Sequence, residues 1–156
     1  MTQQFTTMTH VTIAPASHGL GLYAAQNFST GDHLGWMEGF IIRDSEYSSD
    51  YCIDLGDDYC LEPDGTFRYL NHSCEPNCEL YMIEETEEHG PLVLPRISVE
   101  TLREINIGEQ ITIDYGWPAE NAIPCGCGAK TCRGWVVSAD ELHLVKDFKG
   151  SRKTAV

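Results

Sequence analysis

A mostly β domain is what this 156-residue chain predicts. Short apolar runs bounded by turn residues follow one another along it, sustained helical periodicity is scarce, and the 14 Gly and 7 Pro are scattered as punctuation instead of forming a low-complexity block. The length suits one domain that buries enough apolar surface to fold without disulfides.

The strands expected in order are Val11 to Ala14, Leu20 to Ala24, Leu34 to Ile42, Tyr51 to Leu55, Asn77 to Ile83, Leu92 to Val99 and Gln110 to Tyr115. Asn106-Ile-Gly-Glu109 reads as the turn before the last of them. One short helix is expected near the end, where Ser138-Ala-Asp-Glu141 has capping-box spacing and Leu142, Val145 and Phe148 follow at helical intervals. The acidic run from Glu84 to Gly90 reads as a solvated hairpin tip, and the tail from Gly150 to Val156 as a mobile end.

A formal net charge of -14 favours cationic partners and disfavours a phosphate backbone, so no direct nucleic-acid binding is expected. The first ten residues lack an apolar h-region, and no stretch approaches the roughly 18 apolar residues that span a bilayer. An intracellular, soluble address without membrane association is expected, cytoplasmic or, in a eukaryote, nuclear.

Three groups of residues could carry chemistry. His18-Gly-Leu-Gly21 opens an apolar strand and lets backbone approach a ligand closely, although two glycines alone more often mark a tight turn. Arg68-Tyr-Leu-Asn-His-Ser-Cys-Glu-Pro-Asn77 is a dense polar block whose Asn71, His72, Ser73 and Asn77 can bond to one another, to backbone or to a polar ligand. Cys125-Gly-Cys-Gly-Ala-Lys-Thr-Cys132 gathers three of the seven cysteines in one loop, which favours reduced thiols and a metal. A structural zinc wants four ligands in a tetrahedron, so a fourth must come from elsewhere, with Cys74 and Cys78 as the candidates.

Taken in order, His18 to Gly21, Asn71-His-Ser-Cys-Glu-Pro-Asn77, Gly108-Glu-Gln-Ile-Thr-Ile-Asp-Tyr115 and the cysteine loop resemble the SET-domain family with its post-SET segment, over roughly residues 10 to 137. That resemblance implies a SET-domain fold, several small β-sheets around a pseudoknot, β-clip-like, with the segment holding Asn71 and His72 tucked beside the one ending at Tyr115. It divides the chain into a SET domain over 9–117, a post-SET zinc segment over 118–137, and a C-terminal helix and tail over 138–156.

The activity it implies is protein-lysine methylation with S-adenosylmethionine as methyl donor and a histone or another basic, lysine-containing protein as substrate. His18, Gly19, Leu20, Gly21, Arg68, Asn71, His72 and Tyr115 would bind the cofactor, and Tyr115, with Tyr51 beside it, would be catalytic. Tyr51, Ile113 and Trp117 would line the substrate channel, with Ile113 standing where the family often has an aromatic. Cys74 would join Cys125, Cys127 and Cys132 on structural zinc, leaving Cys78, Cys52 and Cys60 as interior residues. Arg133-Gly-Trp-Val-Val137 resembles the segment covering the adenine and the channel, with Val136 and Val137 where a leucine and an aromatic are common and Trp135 displaced. The cationic tail offers Lys149 and Lys153 as sites of self-methylation. The rival readings are a catalytically silent SET-like module that binds a basic peptide or the cofactor, and a zinc-stabilised interaction protein with no cofactor.

Overall fold

The structure, a computed structural model, describes residues 10–84 and 94–146. In chain order the strands are β1 (Val11–Pro15), β2 (Leu20–Ala24), β3 (His33–Trp36), β4 (Gly39–Arg43), β5 (Ile53–Gly56), β6 (Tyr59–Pro63), β7 (Asn71–His72), β8 (Cys78–Ile83), β9 (Arg96–Thr101), β10 (Gln110–Ile113), β11 (Ile123–Pro124) and β12 (Trp135–Val136). They make four small sheets, ordered β1-β2-β10-β7, β3-β9-β8, β4-β6-β5 and β11-β12. Among the described residues no helix is long and apolar enough to cross a membrane.

One core joins the three larger sheets. Leu22 of β2, Val99 of β9, Ile111 of β10 and Ile105 are wholly buried, and Phe67 reaches in from a 3-10 turn over Thr66–Tyr69. Burying side chains of this kind contributes about 1.5–3 kcal/mol each. A second, smaller cluster of Ala119, Ala122, Val137 and Val145, with Trp135 against it, anchors the C-terminal segment.

Three expectations are corrected. The single strand expected over Leu34 to Ile42 is two, because its halves serve different sheets: β3 pairs with β9 and β4 with β6, with the break at Met37 and Glu38. The segment at Ser138 is a 3-10 helix, Ala139–Leu144, without a capping box. The Glu141 carboxylate that the box would use accepts the Ala119 N–H at 2.7 Å instead, a tertiary bond that outcompetes the local one. Cys78 and Cys60 are buried as expected, whereas Cys52 is half-buried. The hairpin tip expected over Glu84 to Gly90 falls almost entirely outside the described residues, as do Leu92, Phe148, Lys149, Lys153 and the tail.

The pseudoknot is held by a short parallel pairing. Asn71 and His72 of β7 lie beside Thr112 and Ile113 of β10, and the Ser73 N–H continues the ladder to the Ile113 carbonyl at 2.9 Å. Where β7 ends, the side chain of Asn77 takes over as if it were a peptide group. Its Nδ2 donates to the Gln110 carbonyl at 2.8 Å, and its Oδ1 accepts the Thr112 N–H at 2.9 Å. Asn77 is 2% exposed, so water cannot replace either bond.

Asn77→Ala is therefore expected to destabilise the chain by roughly 2 kcal/mol, since it removes the partners of two partly buried backbone groups at about 1 kcal/mol or more each. Urea unfolding of both proteins checks this, and a loss below about 1 kcal/mol would show that the junction does not depend on the carboxamide.

Candidate functional site

The cleft is assembled where β2, β7 and β10 run side by side. Asn71 Nδ2 donates to the Leu20 carbonyl at 3.0 Å and to Gln110 Oε1 at 2.9 Å, tying all three strands together. Gly21 leaves room here: a Cβ on it would fall 2.6 Å from Gln110 Oε1 and 3.0 Å from Asn71 Nδ2 and would push these side chains off their contact. The second glycine of His18-Gly-Leu-Gly21 thus makes room for this junction.

His72 and Tyr115 interlock one layer deeper. The Tyr115 N–H donates to His72 Nδ1 at 3.1 Å, which leaves the ring proton on Nε2, 3.4 Å from Cys74 Sγ. Burial pulls the His72 pKa below its ordinary value, against the nearby Asp114 carboxylate and with the help of Arg133, so the neutral ring is the stable form. The Tyr115 hydroxyl donates to the Leu70 carbonyl at 2.7 Å. Burial, with Tyr51 and Asp50 adding to it, pushes this phenol up to about 12, so it stays protonated at neutral pH.

Two cavities meet at this point. The larger, about 450 Å³, is walled by residues including His18, Asn71, His72, Gln110, Cys125 and Val136, and falls within the range of about 300–1,000 Å³ usual for small-molecule clefts. The smaller, about 120 Å³, is mainly apolar, with Met37, Ile53, Phe67, Leu70, Leu80 and Ile113 in its wall. Asp50, Tyr51, Tyr115 and Trp117 line both. The rings of Tyr115 and Trp117 are 5.5 Å apart, and those of Tyr115 and His72 5.4 Å.

The Sγ atoms of Cys74, Cys125, Cys127 and Cys132 lie within 4.8 Å of one another. Cys74 is 3.9 Å from Cys125 and 4.0 Å from Cys132, near the sulfur–sulfur edge of about 3.8 Å that tetrahedral zinc–thiolate bonds of about 2.3 Å require. The donor set therefore fits zinc. Burial pushes the Cys74 thiol up and the Cys125 thiol up to about 12. At Cys127 burial acts the same way but is outweighed by hydrogen bonds to its sulfur, which bring it to about 6. Four thiolates at this spacing need a cation to hold them. β11 and β12 clamp the loop, and the Cys125 N–H bonds to the Gly134 carbonyl at 3.0 Å. Gly126 lies against His18, 3.1 Å from its Nε2 to the position a Cβ would take, so the cysteine loop is part of the cleft wall.

Sequence and structure differ in detail about the site. Gly19, Leu20 and Gly21 are not part of the wall of the large cleft, and the residues on its surface there are Ala16, Ser17 and His18. Arg68 lines the smaller cavity, because its guanidinium stacks 5.2 Å over the Tyr51 ring. Cys52 also faces that cavity. Gln110 was missed; its place opening an apolar alternation, just ahead of Asp114-Tyr115, was the only signal. Trp135 packs in the second cluster, and Val136 faces the cleft.

Comparison with known proteins agrees with this geometry. The SET domain model matches residues 19–116, which include β2, β7, β10 and Tyr115. Histone-lysine N-methyltransferase 2B of Homo sapiens is 33% identical over 136 residues, covering 76% of this chain and 5% of that protein. The H3 lysine-4 specific histone-lysine N-methyltransferase of Schizosaccharomyces pombe is 33% identical over 135 residues, covering 76% of this chain and 14% of that protein. The chain thus spans only a small part of these relatives. The crystal structure of KRYPTONITE in complex with mCHH DNA, H3(1-15) peptide and SAH has the same fold, with a TM-score of 0.68 at 23% identity over 81% of this chain and 29% of that one. With more than half of its residues matched and the Asn-His and Asp-Tyr segments interlocked, the chain belongs to the SET-domain family.

Proposed function

We propose that the chain is a protein-lysine N-methyltransferase, transferring a methyl group from S-adenosylmethionine to a lysine side-chain amine in a basic protein, with histones the leading candidates. The observation that carries this reading is the meeting of a polar cleft and a narrow apolar pocket at Tyr51, Tyr115 and Trp117. Two reactants entering from opposite sides would meet end to end there. In this reading 9–117 form the catalytic domain, 118–137 the zinc-binding segment and 138–156 the C-terminal extension.

Bound in the larger cleft, S-adenosylmethionine would supply a methyl group already activated on a sulfonium. His18, the Asn71 Oδ1 and the Gln110 Nε2 offer polar contacts to hold it, with His72 in the wall, Gly19, Leu20 and Gly21 beside them and Cys125 to Cys127 enclosing one side. The smaller pocket takes the lysine. A lysine amine with a pKa of about 10.4 is neutral only about once in a thousand near pH 7.4, a deficit of roughly 4 kcal/mol. The apolar wall of Met37, Ile53, Phe67, Leu70 and Ile113 lowers that deficit by disfavouring the charged form.

Tyr115 acts through its oxygen and not as a base. Its proton is committed to the Leu70 carbonyl, so the lone pairs are free to orient the amine and methyl group. Tyr51 closes the other side of the junction, and its ring is held by Arg68. A net charge of -14 favours a cationic peptide as the partner.

Three measurements test these roles. Tyr115→Phe is expected to keep cofactor affinity within about 3-fold while methyl transfer to a histone peptide falls on the order of 100-fold, read by calorimetry and a radiolabelled-methyl assay. Unchanged turnover would remove Tyr115 from the mechanism. Because the folded-state pKa of this phenol is raised to about 12, it remains protonated from neutrality to pH 10, and kcat/KM should rise with pH on the ionisation of the substrate amine alone. Tyr115→Phe should then lower the profile without moving its inflection; a moved inflection would assign that ionisation to the phenol. Finally, chelation of zinc is expected to weaken cofactor binding and activity together, both recovering on zinc addition. Full activity in metal-free protein would make the cluster remote scaffolding.

A further inference from the structure

We infer that Arg133 is a positioning residue, a charged latch through which the cysteine loop fixes the backbone on either side of Tyr115. The inference rests on the methyltransferase reading and adds a residue to it.

Arg133 follows Cys132 directly, and its two ends face different parts of the machinery. Its backbone N–H donates to Cys74 Sγ at 3.4 Å, which ties its main chain to the fourth thiol of the cluster. Its Nη2 bridges the Asp114 carboxylate, 2.9 Å from Oδ1 and 2.8 Å from Oδ2. The Arg133 side chain is only 12% exposed, and that of Asp114 32%. Screening by water is accordingly weak on the arginine side.

Asp114 is the neighbour of Tyr115, and its carboxylate is used a second time: Oδ1 accepts the Gly116 N–H at 3.0 Å. The backbone before and after Tyr115 is therefore gathered onto one carboxylate, and that carboxylate is gripped by Arg133. Tyr115 is also held by His72 through its N–H and by Leu70 through its hydroxyl. Leu70 thus fixes the hydroxyl and His72 the Tyr115 N–H, while Arg133, through Asp114, fixes the flanking backbone at Asp114 and Gly116. A misplacement of about 1 Å at a reacting centre costs on the order of 100-fold in rate.

The arginine is also badly used if stability were its only purpose. Its Nε is buried with no hydrogen-bond partner, so the guanidinium grips Asp114 through one nitrogen and leaves another donor unmet. The ion pair bridges two units that the chain builds separately, the β10 end and the cysteine loop, 19 positions apart.

The test compares Arg133→Ala, Arg133→Lys, Asp114→Asn and the Arg133→Ala/Asp114→Asn pair in the full, zinc-loaded chain. A latch predicts that Arg133→Ala lowers kcat about 10- to 100-fold with peptide KM within about 3-fold and zinc content unchanged. Arg133→Lys, which keeps the charge, recovers part of that loss, and the paired variant is no worse than Arg133→Ala alone because both break one interaction. An unchanged kcat, additive losses in the paired variant, or a kcat loss that only tracks lost zinc would overturn the latch. Backbone hydrogen exchange over 114–117 reads it without catalysis: about 10-fold faster exchange in Arg133→Ala supports the latch, and unchanged exchange overturns it. If the unaltered chain methylates no lysine substrate, the methyltransferase reading fails, and exchange alone decides whether Arg133 holds this backbone.

Discussion

The structure depends on the lateral seating of segment 71–77 against β10. Two parallel residue pairs would be a weak joint by themselves, since each contributes one or two hydrogen bonds and parallel pairing is slightly the less stable kind. Asn77 makes it secure by extending the ladder with a side chain that both donates and accepts. Once that joint exists, Asn71 and Gln110 meet, His72 faces the Tyr115 N–H, and Cys74 is delivered to the cysteine loop. Asn71, His72 and Tyr115, three of the groups proposed to act in methyl transfer, are placed by this one contact or by a bond to it.

Its electrostatics follow from burial. The His72 ring is kept neutral and the Tyr115 phenol kept protonated, so neither adds charge to the junction of the two cavities. Formal charge is carried by side chains around them: Asp50, which lines both cavities, Arg68 and Asp114 in the wall of the smaller one, and Arg133 paired with Asp114. A site arranged this way suits a reaction whose donor arrives already activated: what it needs is alignment and removal of water, with proton transfer left to the substrate amine.

Much of the layout was legible because its signals are local. β2 was read residue for residue, and β1, β8 and β10 came within two residues, since alternation and flanking turns report on a strand wherever it ends up. β6 went unread although Gly56-Asp-Asp58, with both aspartates in the left-handed region, is a hairpin turn that announces it. β7, β11 and β12 are two residues long, too short for any period to register. The capping box at Ser138 failed for the opposite reason: the local signal was present, but a distant N–H at Ala119 claimed its carboxylate.

By itself the sequence determined the residue types available for chemistry, the cysteine spacing that asks for a fourth ligand, and, through the order of four motifs, the family. Those are properties of neighbours along the chain. Only the tertiary structure decided that Arg68 faces the smaller cavity, that Gln110 completes the Asn71 contact, that Gly126 abuts His18, and that Arg133 reaches Asp114. Each of these joins segments far apart in sequence, and a hydrogen bond reaches only about 3 Å, so no spacing rule can announce it before the chain has folded.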